Sequence, residues 1–270
     1  NPTTYYSYYY STQVATGINA ASNGEGAHVD VASSGDITVD GIFGATGIAA
    51  SATGLGGTAS ISNSGDILAS QDNGSGYGAY GVIASADGNA DVTNEGGITV
   101  VSEGAAAGAT ALSFAGDASV TNIGDITVSS TSSGDIAYGI VAFAGYGDVF
   151  VDNSGSVYAV NDKYQATAVD ARSHGDVNVT NSGSLYANGF KYAFGVYATA
   201  ASGDVNVDNA AGGEIGFYSY FGRGWGVFGH ATLGDVNVSN AGVVEGYAYG
   251  QSGGIFGVAT EGDVNVSNSG

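Results

Sequence analysis

The sequence contains no cysteine and no methionine, one proline, one tryptophan and four basic residues, Lys163, Arg172, Lys191 and Arg223. Without cysteine there is no disulfide framework, no thiolate metal site and no cysteine nucleophile. Set against 25 acidic residues, the four bases leave a formal net charge of −21. Such a chain lacks the Lys and Arg that neutralise phosphate, so nucleic acid is not an expected partner and anionic lipid is disfavoured. No apolar run approaches the ~18 residues that span a bilayer, so no transmembrane segment is expected. No signal-peptide pattern is present, and a chain without methionine reads as a mature or excised segment.

What the chain does contain is 48 glycines, 18 tyrosines and 43% hydrophobic residues. Disordered chains lack aromatic and β-branched residues, so this composition points to a packed fold. The apolar residues also recur at a fixed period. The phrase Gly-Asp-Val-Asn-Val-x-Asn occurs at Gly175–Asn181, Gly203–Asn209, Gly234–Asn240 and Gly262–Asn268. Looser copies end at Asn63, Asn94, Asn122 and Asn153, and a first copy ends at Ser33. Successive closing asparagines stand 28 or 31 residues apart, as if one loop per coil accepts a three-residue insertion. A repeat of this length signals a solenoid or a propeller.

Each repeat holds three strand-like pieces bounded by Gly, Asn, Asp and Ser, with period-two alternation. Strand A is the Val-x-Val phrase. Strand B follows an Asn-x-Gly corner, as at Ile37–Val39 and Ile126–Val128. Strand C follows a glycine-rich bend and reads Ala-x-Gly-Val/Ile-x-Ala, as at Ala45–Ala50 and Ala193–Ala198. Glycine and β-branched residues are too dense for helix. The expected fold is therefore all-β: a parallel β-helix, or β-solenoid, of about nine coils of 28–31 residues forming one domain over 1–270. A propeller ranks second, because its blades need about four strands in 40 or more residues. Residues 1–14 are expected to be the B-strand part of the first coil, since Tyr5–Tyr9 resembles Phe217–Phe221. Nine coils at the strand spacing make a rod of roughly 40 Å.

Parity then sorts the side chains. In Asp263–Asn268 the two valines point inward, Asn265 points outward and Asn268 shares the inward parity at the corner. Asn63, Asn94, Asn122, Asn153, Asn181, Asn209, Asn240 and Asn268 are thus expected to form a structural ladder, hydrogen-bonded between coils and to the turn. Asp117, Asp148, Asp176, Asp204, Asp235 and Asp263 occupy one position in six consecutive coils, and Asp36, Asp66 and Asp125 follow the corner in earlier ones. These rows read either as a solvated face or as a Ca²⁺-binding carboxylate stripe. No cofactor is required. Aromatic residues crowd the C-terminal coils. Tyr158, Tyr186, Tyr218 and Tyr220, with Tyr5, Tyr6, Tyr8 and Tyr9, form a candidate contact surface for protein or sugar.

Other pattern matches carry little. Gly250–Gly254 fits a serine-hydrolase elbow and Gly76–Gly81 a dinucleotide loop, but neither opens a helix, and both arise from Gly/Ser-rich bends. His28, His174 and His230 lack metal-ligand spacing. Asn178, Asn237 and Asn265 begin N-glycosylation sequons that the repeat itself generates. No catalytic residue is expected, and the chain is read as a non-enzyme.

The repeat Gly-Asp-Val-x-Val-x-Asn-x-Gly-x-Ile, with almost no Lys, Arg or Cys, resembles passenger domains of bacterial autotransporters and related secreted β-helical adhesins. The resemblance covers essentially the whole chain and is one of repeat style. It implies secretion to a Gram-negative cell surface and a role in adhesion, aggregation or biofilm matrix. Its partners would be further copies of itself or host and matrix protein or sugar. The alternative is a self-assembling extracellular filament subunit stacked head to tail, with a polysaccharide-active β-helix enzyme third.

Overall fold

A computed structural model describes residues 14–73 and 76–270. Its described residues form 26 strands and no helix, and every strand pairing is parallel. The strands sort into three sheets, of nine, nine and eight members, each running the length of a β-solenoid. Nine A strands run from His28–Ser33 to Val264–Asn268. Eight B strands run from Ile37–Gly41 to Val243–Ala248, and nine C strands from Val14–Ser22 to Ser252–Ala259. This gives eight complete three-strand turns plus one further C and A strand. The ninth B strand, expected within residues 1–14, lies outside the described residues, apart from Val14 in the first C strand.

Register is kept across the whole stack. Val177 pairs with Val205 and Val205 with Val236, and Asn181, Asn209 and Asn240 follow in line. Parity is the cause, because a slip of one residue would expose every valine. A three-residue insertion is absorbed between strands, leaving the parity within each strand untouched. The extra length does not always sit in one loop. Two of the long coils carry it in the B–C bend, before Gly78 and Ile136. The coil closing at Asn240 divides it, with part in a wider A–B corner at 210–213. Gly212 turns that corner with φ near +91°, a conformation open to glycine.

The core is narrow and built from Val, Ile and Ala, with Ile48, Ile61, Ile98, Ile140, Leu185 and Ile215 among the largest fully enclosed side chains. Most glycines in this chain answer a demand for space, since only Gly26, Gly56, Gly78 and Gly212 have positive φ among the described residues. One column of the C sheet shows the demand plainly: Gly17, Gly47, Gly81, Gly108, Gly139, Gly195 and Gly226. A Cβ added at any of these would overlap the β-methyl of the isoleucine or valine that is the first inward residue of the next B strand, Ile126 for Gly108 and Val157 for Gly139. The same column holds Ala168, fully buried, and the first inward residue of its next B strand is Leu185, which has no β-methyl. A second exchange surrounds Phe217, the one large aromatic pointing inward among the described residues. Its ring occupies the space that side chains at Gly224 and Gly246 would need.

Candidate functional site: the ladders of the solenoid

The asparagine corner forms as expected. Each Nδ2 donates to Oδ1 of the next coil's asparagine, from Asn63 to Asn94 at 3.0 Å through to Asn240 to Asn268 at 2.6 Å. The intervening links, through Asn122, Asn153, Asn181 and Asn209, measure 2.7–2.9 Å. The same Nδ2 also donates to a carbonyl in its own turn, as from Asn94 to Gly96 O at 2.8 Å. At the wider corner Asn209 reaches Gly213 O instead, at 3.2 Å. Seven of the eight asparagines are buried; Asn268 is exposed at the open end of the stack. At the other end Ser33 takes the asparagine position and its hydroxyl bonds Gly35 O. Asn63 Oδ1 is therefore buried without a donor.

The aspartate row is also a ladder. Asp117 Oδ1 accepts the backbone N–H of Asp148 at 2.9 Å, and Asp148 that of Asp176 at 2.8 Å. The pattern continues to Asp204, Asp235 and Asp263. Asp36 accepts from Asp66 N–H, and Asp66 from Gly97 N–H. The carboxylates of Asp36, Asp66, Asp117, Asp148, Asp176, Asp204 and Asp235 each have a backbone donor from the adjoining coil, a charge-assisted bond that suits a solvated edge. No group of three or more His, Cys, Asp or Glu placed to hold a metal ion occurs among the described residues.

Outside the A sheet, Asn178, Asn206, Asn237 and Asn265 make a second amide ladder at 3.0–3.1 Å. It runs with opposite polarity: each Nδ2 donates back to the preceding coil. Three sequon asparagines are thus strand residues already engaged in a ladder. Beside it lie Thr180, Asp208, Ser239 and Ser267, and the two rows, with the valines between them, line an open groove of about 640 Å³.

The aromatic residues are the feature that distinguishes the C-terminal coils. On the outer C face, Phe194 stacks on Trp225 with ring centroids 5.4 Å apart, Tyr197 on Phe228 at 5.0 Å and Phe228 on Phe256 at 5.6 Å. On the outer B face, Tyr158 stacks on Tyr186 at 5.5 Å and Tyr218 on Tyr247 at 5.7 Å. The B–C bends add Phe190, Tyr220, Phe221 and Tyr249. Stacking occupies the ring faces along the rod axis, so these ladders present mainly ring edges to solvent. Tyr220, Phe221, Tyr247 and Tyr249 remain 54–73% exposed. Tyr5, Tyr6, Tyr8 and Tyr9 lie outside the described residues.

Two constellations escaped the reading by repeats. One is the inward end of strand B, where Gln71, Ser102, Ser130, Asn161 and Ser219 are buried. Ser102 donates to Gln71 Oε1 at 2.6 Å, and Asn161 Oδ1 accepts the Lys163 and Tyr164 N–H groups. Their inward parity and polar type were the available signal. The other is Asp170, buried on the outer C face beneath neighbouring side chains and held by Arg172 in a two-pronged pair at 2.6 and 2.7 Å. The guanidinium lies 5.0 Å from the Tyr197 ring centre. Burial raises the Asp170 carboxyl above its ordinary range, and the Arg172 hydrogen bond opposes that rise. Burial, then the charge of Asp170, pushes the Tyr138 phenol up to about 12. The signal here was an acid and a base two residues apart on one strand, hence on one face, where the coils on either side carry no charge at those two positions.

The chain matches no family model, no curated protein and no solved structure.

Proposed function

We propose that this solenoid is an extracellular structural and adhesive rod of a bacterial surface, acting by contact and not by catalysis. The observation that carries the reading is the exposed aromatic cluster of the last B–C bends, Tyr220, Phe221 and Tyr249, with Tyr247 of the last B strand beside them, on an acidic rod. Contiguous exposed apolar surface on a soluble chain marks contact sites, and amphipathic tyrosines suit protein or sugar partners. The repeat style shared with secreted β-helical adhesins supports the same reading. The aspartate row enters it as a hydrated, repulsive face. Calcium bridging of that row would make millimolar Ca²⁺ raise the melting temperature more than NaCl of equal ionic strength does. The test of adhesion is a triple variant, Tyr220→Ser, Phe221→Ser and Tyr249→Ser, displayed on beads. Loss of bead aggregation and of attachment to matrix, with an unchanged β-sheet circular dichroism spectrum, is expected. Attachment equal to that of the parent chain sinks the proposal.

A second reading, a filament subunit, rests on the interchangeable register of the coils: Val205 and Val207 pair with Val236 and Val238 just as these pair with Val264 and Val266. Any such coil is a template for another, supplied by more of the same polypeptide or by another copy. Electron microscopy separates the two. Unbranched filaments with an axial repeat of roughly 40 Å support self-assembly, and short monomeric rods at high concentration reject it.

A further inference from the structure

Tyr158 and Tyr186 occupy the same position in adjoining coils, paired in register on the outer B face. Their rings are nearly parallel, 10° apart, with centroids 5.5 Å apart. The column isolates them as a pair. Thr127 precedes Tyr158 and Gly216 follows Tyr186, so each ring has a single aromatic neighbour in its column. Tyr158 is 37% exposed and Tyr186 is half-buried, which leaves one edge of the stack open to a solution oxidant. Parallel strands hold equivalent atoms about 4.8 Å apart, so the ortho carbons of one ring face those of the other. Coupling requires side-chain rotation to close the remaining gap, 5.5 Å between the ring centroids.

We infer that Tyr158 and Tyr186 are a site of oxidative cross-linking, in which a one-electron oxidant of the peroxidase class joins the two rings as dityrosine. Each phenol loses one electron and its phenolic proton, giving a phenoxyl radical with spin on the ortho carbons. The two radicals form one carbon–carbon bond between ortho positions. The hydrogens on those carbons then move to the phenolic oxygens as the rings regain aromaticity. The pair loses two hydrogens in all, and one hydrogen peroxide becomes two waters. The product is a covalent rung between adjacent coils on the exterior of the rod. Tyr218 and Tyr247, in register at 5.7 Å and 28° apart, form a second and less parallel candidate rung.

Exposure alone points elsewhere. Tyr146 is 65% exposed, but its ring neighbours in the adjoining coils are Phe114 and His174. If accessibility governed coupling, Tyr146 would react ahead of Tyr158, and only between molecules. The inference stands apart from the adhesive reading, since the rung forms whether or not the rod binds a partner.

The test treats the dilute chain with a heme peroxidase and hydrogen peroxide, isolates the monomer by size exclusion and maps its peptides by mass. A peptide joining Tyr158 to Tyr186, lighter than its parts by two hydrogens, is expected in the monomer. It should be lost in Tyr158→Phe and in Tyr186→Phe, both of which keep the ring stack and the circular dichroism spectrum. Absence of that peptide from the oxidised parent monomer overturns the inference, whatever Tyr146 does. So does monomer dityrosine fluorescence that neither substitution lowers.

Discussion

The outer C face of an early coil carries Thr46, Ala49 and Ser51, whereas a late coil carries Phe194, Tyr197 and Thr199 at the equivalent positions. The outer A face changes in the same direction, from Asp30, Ser60 and Asp91 to the Asn206, Asn237 and Asn265 ladder. Beneath both faces the inward residues barely change: Ala45, Ile48 and Ala50 in the early coil, Ala193, Val196 and Ala198 in the late one. The two regions teach that the core and the corners hold the coil, and that outward positions are free to specialise. Stacked rings add ~0.5–1.5 kcal/mol per pair beyond area burial, so the late coils carry stabilisation that the early ones obtain elsewhere or lack.

The comparison is sharpest if the corner counts for more than the outer ladder. Asn181→Ala removes a buried amide that donates to Asn209 Oδ1, Gly183 O and Glu214 O and accepts from Asn153. Each buried group left unsatisfied costs about 1–3 kcal/mol. Asn178→Ala removes a half-buried partner of Asn206 and should cost about 0.5–1.5 kcal/mol. Chemical denaturation that ranks the two equally would break the division between scaffold and surface.

Next comes Gly139→Ala, which drives a methyl into Val157 and toward the backbone of the following coil. Overpacking of this kind costs about 1–3 kcal/mol. The Ala168–Leu185 arrangement in the next coil predicts partial rescue by Val157→Leu. A double variant no more stable than Gly139→Ala would show that the backbone contact, not the β-methyl, sets the glycine.

A gain is expected at the early end. Ser33→Asn supplies the missing donor for Asn63 Oδ1 and extends the corner ladder by one link. The net value of a hydrogen bond, about 0.5–1.5 kcal/mol, should appear as a higher melting temperature. No rise would mean that the first corner does not close around an asparagine.

The smallest effect is a pH dependence centred on the middle of the stack. Tyr138 stays neutral in the fold up to about 12, with Asp170, Arg172, Tyr197 and Tyr80 around it. A raised folded value means its contribution is complete below the ordinary phenol value near 10 and is lost as pH rises through about 12. Tyr138→Phe should therefore flatten part of the fall in melting temperature between those limits. An unchanged profile would place the alkaline transition in other tyrosines.

The sequence by itself determined the three-strand coil, its parity and its asparagine corner. Period-two alternation and a repeating Asn-x-Gly turn are local rules, and identical units stacked in register convert them directly into sheets and ladders. The exchange at Ala168 became visible only from contacts between coils, with glycine where the next B strand brings Ile or Val against the column and alanine where it brings Leu185. Only the tertiary structure decided how the surfaces are used. That the aspartates accept backbone N–H groups from adjoining coils depends on the rise between coils and on the corner angle. That Asp170 is buried on an outward face depends on the side chains of neighbouring coils closing over it. That Phe217 fills the core beside Gly224 and Gly246, while Tyr158 and Tyr186 stack outward as their shared strand position implies, depends on rotamers and free volume. Those are set by side chains about 30 residues away along the chain but one strand spacing away in space.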